Sequence, residues 1–313
     1  MEKIEIVSYS EDKKLLWDEF VTNSKNGTFL FYRNYMEYHA DRFTDQSIMF
    51  YDDKRLIAIM PANIRDNILY SHSGLTFGGV ISDKKMTTPL MLETFNALKE
   101  YLRKQGFIKI VYKEIPHIYH IVPAEEDLYA LFYHNARLIK RDVSSTIFMS
   151  RRQAYSKGRK WSVKKSKKNG LEVKRSYGFK NFMVIEEENL RKKYGVMPTH
   201  TADEISLLAN RFPENIKLFT AHKDDVMVAG VTIYESENVA HAQYIAATDE
   251  GKKLFATDFL FDFLINEYFI EKNYFDFGIS TEQEGRFLNE GLITFKEEFG
   301  ARAVVYDTYE LEV

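Results

Sequence analysis

The chain writes one order of elements twice, and a duplicated module permits far fewer architectures than 313 unrelated residues would. The first copy reads SIMFYDDKRLIAIMPANI from Ser47 to Ile64, LYSHSGLTFGG from Leu69 to Gly79, an apolar-periodic stretch from Pro89 to Gln105, and FIKIVYKE from Phe107 to Glu114. The second reads IKLFTAHKDDVMVAGVTIY from Ile216 to Tyr234, AHAQYIAAT from Ala240 to Thr248, a periodic stretch from Leu254 to Lys272, and YFDFGIS from Tyr274 to Ser280. Each spells hairpin, strand, loop, helix, strand. The copies lie about 170 residues apart, which is a tandem duplication and not an array of short repeats. Both hairpin turns are acidic, Asp52-Asp53 and Asp224-Asp225, and flanked by β-branched and aromatic residues, as a tight connection requires.

A chain of 313 residues exceeds what one core usually serves, so the expected division is two domains, 1–141 and 142–313. Hydrophobic residues at 45% and aromatics at 15% can fill two cores. A net charge of −3 removes any global electrostatic reason to bind nucleic acid or membrane, so local patches must carry such a role. The absence of cysteine excludes disulfides, a thiolate nucleophile and cysteine zinc sites. MEKIEIVSYSEDKK lacks the apolar run of a signal peptide, and no apolar stretch approaches the ~18 residues of a spanning helix. The expected location is the cytoplasm, without membrane insertion.

Around the copies, Ile4 to Tyr9 alternates as a strand, and Asp12 to Val21 and Tyr32 to Phe43 have helical spacing. Ala124 to Ala136 is expected to be the helix that closes the first domain. The second opens with a strand, Asp142 to Met149, then a helix from Arg152 to Lys168 and a strand LEVKRS from Leu171 to Ser176, separated by the Asn169-Gly170 stop signal. Helices over Phe179 to Tyr194 and Ala202 to Phe212 follow, and Val304 to Leu311 ends the chain as a strand.

This order resembles two GNAT acyltransferase folds in tandem, and more closely the FemABX-type aminoacyl and acyl transferases. GLITFKEEFGAR, Gly291 to Arg302, matches that family's Gly-Leu-x-x-Phe-Lys-x-x-Phe-Gly pattern, with DFGIS, Asp276 to Ser280, ahead of it. RKWSVKKSKKNGLEV, Arg159 to Val173, looks like the basic helix and strand that open the family's second domain. The resemblance implies an α/β (α+β) fold of two GNAT-like domains, each a mixed central sheet flanked by helices, with the site in the second. It also implies an N-acyl or aminoacyl transferase acting on a small or nucleotide-linked acceptor amine of a cell-envelope or polysaccharide precursor. The co-substrate would be acyl-CoA or aminoacyl-tRNA, with no tightly bound cofactor and no metal. Two features depart from the family. No heptad pattern provides the long helical arm of peptidoglycan-bridge members, and ATDEGKKLFA, Ala247 to Ala256, has a single glycine where the GNAT pyrophosphate motif would lie. Gly251 and Lys252 are the cofactor-binding candidates in that stretch.

Transfer to an amine needs a neutral nucleophile, a stabilised oxyanion and a proton for the leaving group. No nucleophile-elbow series is present, so direct attack on a bound activated donor is expected. The resemblance implies that Ala240 to Thr248 and Tyr274 to Ser280 splay apart, and that Lys296, fixed by Phe295, overlies the cleft and neutralises developing charge; a solvated lysine on an amphipathic turn is the alternative. On that reading Lys296→Ala abolishes transfer at little cost in stability. Alternation puts His241 and Gln243 on one face and Tyr244 on the other. They are substrate-binding candidates, or polar groups satisfied inside a strand. Ser280, Glu282, Glu284, Arg286 and Asn289 follow the last core strand, with Glu282 the candidate general base and helix capping or solvation the alternative. His72 lies in a glycine-rich stretch that could approach an acceptor or simply turn, and His117 with His120 lacks a third ligand for a metal.

From Arg151 to Arg175 the chain carries eleven Lys or Arg against one acid, Glu172. With Arg159 and Lys164 as contacts and Tyr155 or Trp161 for stacking, this segment suits a nucleotide-linked sugar or the acceptor stem of a tRNA. A solvated basic helix is the plain alternative. The competing functional class is a non-catalytic module that binds RNA or another anionic polymer through residues 151–175.

Overall fold

The computed structural model describes residues 4–313. Strands β1 (Glu5–Ser8), β2 (Thr44–Asp45), β3 (Ile48–Asp52), β4 (Arg55–Met60), β5 (Asn63–Arg65), β6 (Ile68–Tyr70), β7 (Ile81–Ser82) and β8 (Lys109–Lys113) build the first part of the chain, with helices α1 (Lys14–Asn23), α2 (Arg33–Met36), α3 (Thr88–Lys104) and α4 (Glu126–Tyr133). Next come β9 (Arg137–Phe148), α5 (Lys157–Lys167), β10 (Leu171–Ser176), α6 (Phe179–Tyr194), α7 (Ala202–Arg211), β11 (Ile216–Lys223), β12 (Val226–Glu235) and β13 (Val239–Ala247). Then α8 (Asp249–Lys253), α9 (Ala256–Phe263), β14 (Tyr274–Ile279), β15 (Thr281–Glu282), β16 (Phe287–Leu288), α10 (Glu290–Glu297) and β17 (Arg302–Glu312) complete it. The chain divides into two compact units, residues 1–142 with 282–287 and 305–313, and residues 143–281 with 288–304. The last strand thus contributes to the first unit, where the sequence-based division assigns it to the second.

Helix α2 is shorter than the stretch Tyr32 to Phe43 suggests. It spans one turn between 3-10 turns at Phe29–Phe31 and Glu37–His39. The segment Arg152 to Lys168 starts its helix only at Lys157, where Ser156 caps it by accepting from the Arg159 amide at 3.0 Å. No helix among the described residues is long and apolar enough to cross a membrane.

In the first unit β1-β3-β4-β7 form an antiparallel sheet, and β17, β8, β6, β5 and β2 follow one another in a mixed sheet in which β6 and β8 run parallel. Helix α3 opens with Thr87 as N-cap and Pro89 in its first turn. It buries Met91, Phe95, Leu98 and Leu102 among residues such as Ile57, Ile110 and Leu311. Beyond the parallel pair the loop that follows β6 is tied down. The Ser71 amide donates to the Val111 carbonyl at 2.9 Å, the Gly78 amide to the Lys113 carbonyl at 3.3 Å, and Lys113 Nζ to the Leu75 carbonyl. Nothing parts here.

The second unit orders its strands β10-β11-β12-β13-β14-β9, antiparallel except for β13 and β14. The β11–β12 hairpin turns on Asp224 and Asp225, both at positive φ (48° and 64°), the pattern that matches strand twist in a two-residue turn. Helix α9 packs Ala256, Leu260 and Phe261 against Val231, Ile233, Ala240, Phe275 and Phe277. Each such leucine or phenylalanine contributes about 1.5–3 kcal/mol by leaving water, so this face holds the sheet. The opposite face carries α6 and the polar residues described next.

Candidate active site

The parallel ladder between β13 and β14 runs over three pairs, Val239 with Tyr274, Ala240 with Phe275 and His241 with Asp276, and then stops. Both strands continue, β13 to Ala247 and β14 to Ile279, so their backbones part beyond His241 and Asp276. The register of β12 explains the parting. Tyr234 faces His241, Ile233 faces Ala242, and Thr232 faces Tyr244, so Gln243 is an extra residue, a β-bulge that turns the strand.

The bulge also corrects the expected alternation. Because Tyr234 and Thr232 are two apart on a regular stretch of β12, their partners His241 and Tyr244 share a face, where strict alternation sets them on opposite faces. Phe182 of α6 lies over Gly230, the next residue on that face of β12, which identifies it as the α6 face. A bulge leaves no mark in the pattern AHAQYIAA, so only the pairing reveals it.

At the vertex, His241 Nδ1 lies 2.6 Å from Asp276 Oδ2. The other oxygen, Oδ1, accepts from Ser144 Oγ and Thr146 Oγ1, both at 2.6 Å, from the adjacent β9. Burial alone would push the carboxyl of Asp276 up, but the hydrogen bonds from His241, Ser144 and Thr146 outweigh it and hold the group below the usual carboxylate range. An ionised carboxylate only accepts, so His241 carries its proton on Nδ1, and in the neutral ring Nε2 is the basic nitrogen. Gly278 closes on that ring. At φ 76°, a Cβ on it would stand 3.4 Å from His241 Cε1 and 3.9 Å from Nε2.

Parting the strands orphans backbone groups, and buried carbonyls need donors. Lys296 supplies two of them. From α10 its Nζ donates to the Gly278 carbonyl at 2.8 Å and the Ile279 carbonyl at 2.7 Å, and the residue is buried. Burial pushes its pKa down to about 8, with Asp276 opposing the shift. The placement of α10 comes from Arg159 on α5. Its guanidinium pairs with Asp258 and, at 2.7 Å, with Glu298, and it stacks 4.4 Å from the Phe295 ring and 4.5 Å from that of Phe299. Phe295 packs against Phe261 and Phe299. Lys296 therefore sits where packing puts it.

The other candidates separate into those gathered at the cleft and those used elsewhere. Tyr244 is buried with its hydroxyl 2.5 Å from His200 Nδ1. Gln243 keeps Oε1 buried without a partner, as Ser280 does its Oγ, while the Ser280 backbone bonds Val143 and Asn289. Asn289 caps α10 by accepting from the Leu292 amide at 3.1 Å. Glu282, Glu284 and Arg286 are exposed on the β15–β16 hairpin, in the segment grouped with the first unit. Arg159, a substrate-binding candidate, is buried and its guanidinium pairs with Asp258 and Glu298. Lys164 is exposed on α5 with Trp161, whose ring lies 4.8 Å from Lys165 Nζ; Tyr155 turns inward onto Phe299.

Gly251 and Lys252 lie in α8. A side chain at 251 would strike the Val228 carbonyl, so the glycine serves the close approach of α8 to β12. Thr248 caps the helix by accepting from the Gly251 amide at 3.0 Å, and Asp249 and Glu250 occupy the first turn, where their charge opposes a phosphate. Lys252 reaches Asn189 at 3.0 Å. In the first unit His72 is buried beside His39 with ring centroids 5.3 Å apart, and burial pushes it down to about 3. His117 is exposed, and His120 Nε2 lies 2.8 Å from the Ile115 carbonyl.

Asp276, Ser144 and Thr146 were missed as site residues. The signal existed, because a lone acid inside the apolar strand YFDFGI must be paired if that strand is buried, and Ser144 and Thr146 stand two apart on a strand.

No family model and no curated protein sequence matches this chain. Solved structures do. FemX superposes with a TM-score of 0.68 at 11% identity, covering 97% of this chain and 96% of its own. The C-terminal domain of a putative lysylphosphatidylglycerol synthetase from Agrobacterium fabrum gives 0.63 at 12% identity, covering 96% and 92%. A tandem GNAT protein from the clavulanic acid biosynthesis pathway gives 0.52 at 10%, covering 99% and 98%. Likeness at such identities speaks to architecture, and with two GNAT-like halves and strands that part in the second, this chain has the fold of FemX and of the tandem GNAT protein.

Proposed function

We propose that the protein transfers an acyl or aminoacyl group directly onto an amine, and that the transfer takes place where β13 and β14 part. The observation that carries this is the vertex itself, an oriented imidazole at the mouth of an opened parallel pair. The acceptor amine attacks the carbonyl carbon of the donor, the C–N bond forms, and the carbonyl oxygen takes the negative charge. Lys296, an ammonium below about pH 8, is a positive charge beside the opened end of β14 and favours that oxyanion. His241 Nε2 takes the proton that the attacking nitrogen sheds and returns it to the leaving oxygen or sulfur as the C–O or C–S bond breaks. Ser144 and Thr146 donate to Asp276 and the chain has no cysteine, which supports direct transfer over an acyl-enzyme.

We read the donor as an aminoacyl ester on tRNA in preference to acyl-CoA, because the first turn of α8 is acidic where a pyrophosphate would lie. The acceptor reading, an amine on a cell-envelope or polysaccharide precursor, rests on likeness to FemX and to a protein titled lysylphosphatidylglycerol synthetase. The test is transfer of labelled aminoacyl groups from charged tRNA, or of acetyl from acetyl-CoA, to amine acceptors by the purified chain. Turnover that disappears in His241→Gln supports the reading. Absence of turnover with both donors rejects it.

One observation favours the second reading, a non-catalytic polyanion-binding module. Helix α5 exposes Lys157, Lys160, Lys164 and Lys165, the last with its Nζ 4.8 Å from the Trp161 ring. RNA binding that weakens steeply with salt, without turnover, would identify it.

A further inference from the structure

Helix α6 crosses the same face of the sheet that presents His241 and Tyr244. Phe182 lies over Gly230 of β12, and two turns later Asn189 Nδ2 donates to the Ala247 carbonyl at the open end of β13, at 2.9 Å. Glu186 is one turn beyond Phe182 on this inward side, 6% exposed, and among the described residues makes neither hydrogen bond nor ion pair. A buried carboxyl group left bare is costly unless something else uses it. The sheet beneath α6 also holds two fully buried oxygens without partners. Thr232 Oγ1 and Gln243 Oε1 are buried without partners, and Thr232 faces Tyr244 across the bulge. A carboxyl group and two buried, unpartnered oxygens beneath the same helix complement a ligand rich in N–H donors.

We propose that Glu186 receives the acceptor substrate as its ammonium ion, with Thr232 and Gln243 beside it, and takes the first proton so that a neutral amine reaches the opened strands. This rests on the transfer reading above. The step balances: R–NH3+ and the Glu186 carboxylate become R–NH2 and the carboxylic acid, the freed electron pair on nitrogen then forms the C–N bond, and the second proton goes to His241 Nε2. Burial alone raises Glu186 to about 7, close to the pH at which a base both accepts and releases a proton. Of the titratable groups on the elements packed against α6, Tyr234, His241 and Tyr244 share the face, and His200 leads into α7; none is paired with Glu186.

The test combines two measurements on the full chain. Carbon-13 carboxyl titration of wild type against Glu186→Gln locates the Glu186 resonance, and the titration is repeated with glycinamide, a soluble primary amine. An ammonium bound beside the carboxylate lowers the titration midpoint in the wild type; a midpoint unmoved by saturating glycinamide overturns the proposal even if no donor has been found. With a working donor, Glu186→Gln is expected to lose roughly 100-fold in kcat/KM together with the acidic limb of its pH profile. A variant that keeps the wild-type rate and limb overturns the base role while leaving the transfer reading intact. Lack of turnover in the wild type rejects the transfer reading and leaves the glycinamide result to decide for Glu186.

Discussion

His241 and Asp276 form the last pair across which β13 and β14 still adjoin, and their side chains meet at 2.6 Å at the point where the two strands part. One contact therefore orients the imidazole and marks where pairing ends. Asp276→Asn keeps the shape but can present its amide to Nδ1 and favour the wrong tautomer. The expected outcome is a fall in kcat of roughly 100-fold or more with little change in KM, measured by steady-state kinetics once the donor is found. A variant with wild-type kcat would remove His241 from the chemistry.

Lys296→Met removes the donor for two carbonyls of β14. Sequence reasoning expects Lys296→Ala to cost little stability, but a buried acceptor left unsatisfied costs about 1–3 kcal/mol, so denaturant unfolding of Lys296→Met should show a loss of that order. The pH dependence has a definite sign. With a folded pKa of about 8 against 10.5 unfolded, the folded state holds fewer protons across that window, so wild-type stability falls as pH drops from 10.5 to 8. Lys296→Met should lack this slope; an identical slope in the variant would mean that another group titrates.

Glu186 acts in the opposite direction. Its folded pKa of about 7 exceeds the 4.5 of an ordinary glutamate, so the folded state holds more protons between those values and stability declines as pH rises from 4.5 to 7. Glu186→Gln should escape that decline and be more stable than wild type above pH 7, by roughly 3 kcal/mol from the size of the shift. Equal stabilities at pH 5 and a gap at pH 8, read from urea midpoints, would agree. Destabilisation at pH 8 would contradict it.

Gly278→Ala adds a Cβ at φ 76° that meets the His241 ring at 3.4 Å, an ordinary van der Waals contact. A single residue forced into left-handed backbone costs about 1–2 kcal/mol, so the melting temperature should fall modestly. Transfer should fall as well, because relief of the backbone strain shifts β14 beside the His241 ring. A loss of stability with unchanged kcat would show that the ring position does not matter.

Much of this architecture is written locally. Hairpin turns at Asp53 and Asp224-Asp225, the capping of α3 by Thr87 and of α7 by Thr201, and the repeated order of elements are all short-range consequences of turn chemistry and periodicity. The strands expected to open, Ala240 to Thr248 and Tyr274 to Ser280, are strands, and the second helix of the N-terminal region is not the long one its spacing suggests because only one turn of Tyr32 to Phe43 keeps α-helical hydrogen bonds.

Residue types and their order along the chain were enough to specify the duplicated module, its turns and a short roster of polar groups near the second copy's last strands. Which of those groups meet was decided by packing between distant segments. The bulge at Gln243 swings Tyr244 onto the face of His241, Arg159 is drawn into an ion pair 99 residues away with Asp258, and Asp276 collects donors from β9 and β13. A buried charge must find its partners in space, and that search has no periodicity for a linear sequence to display.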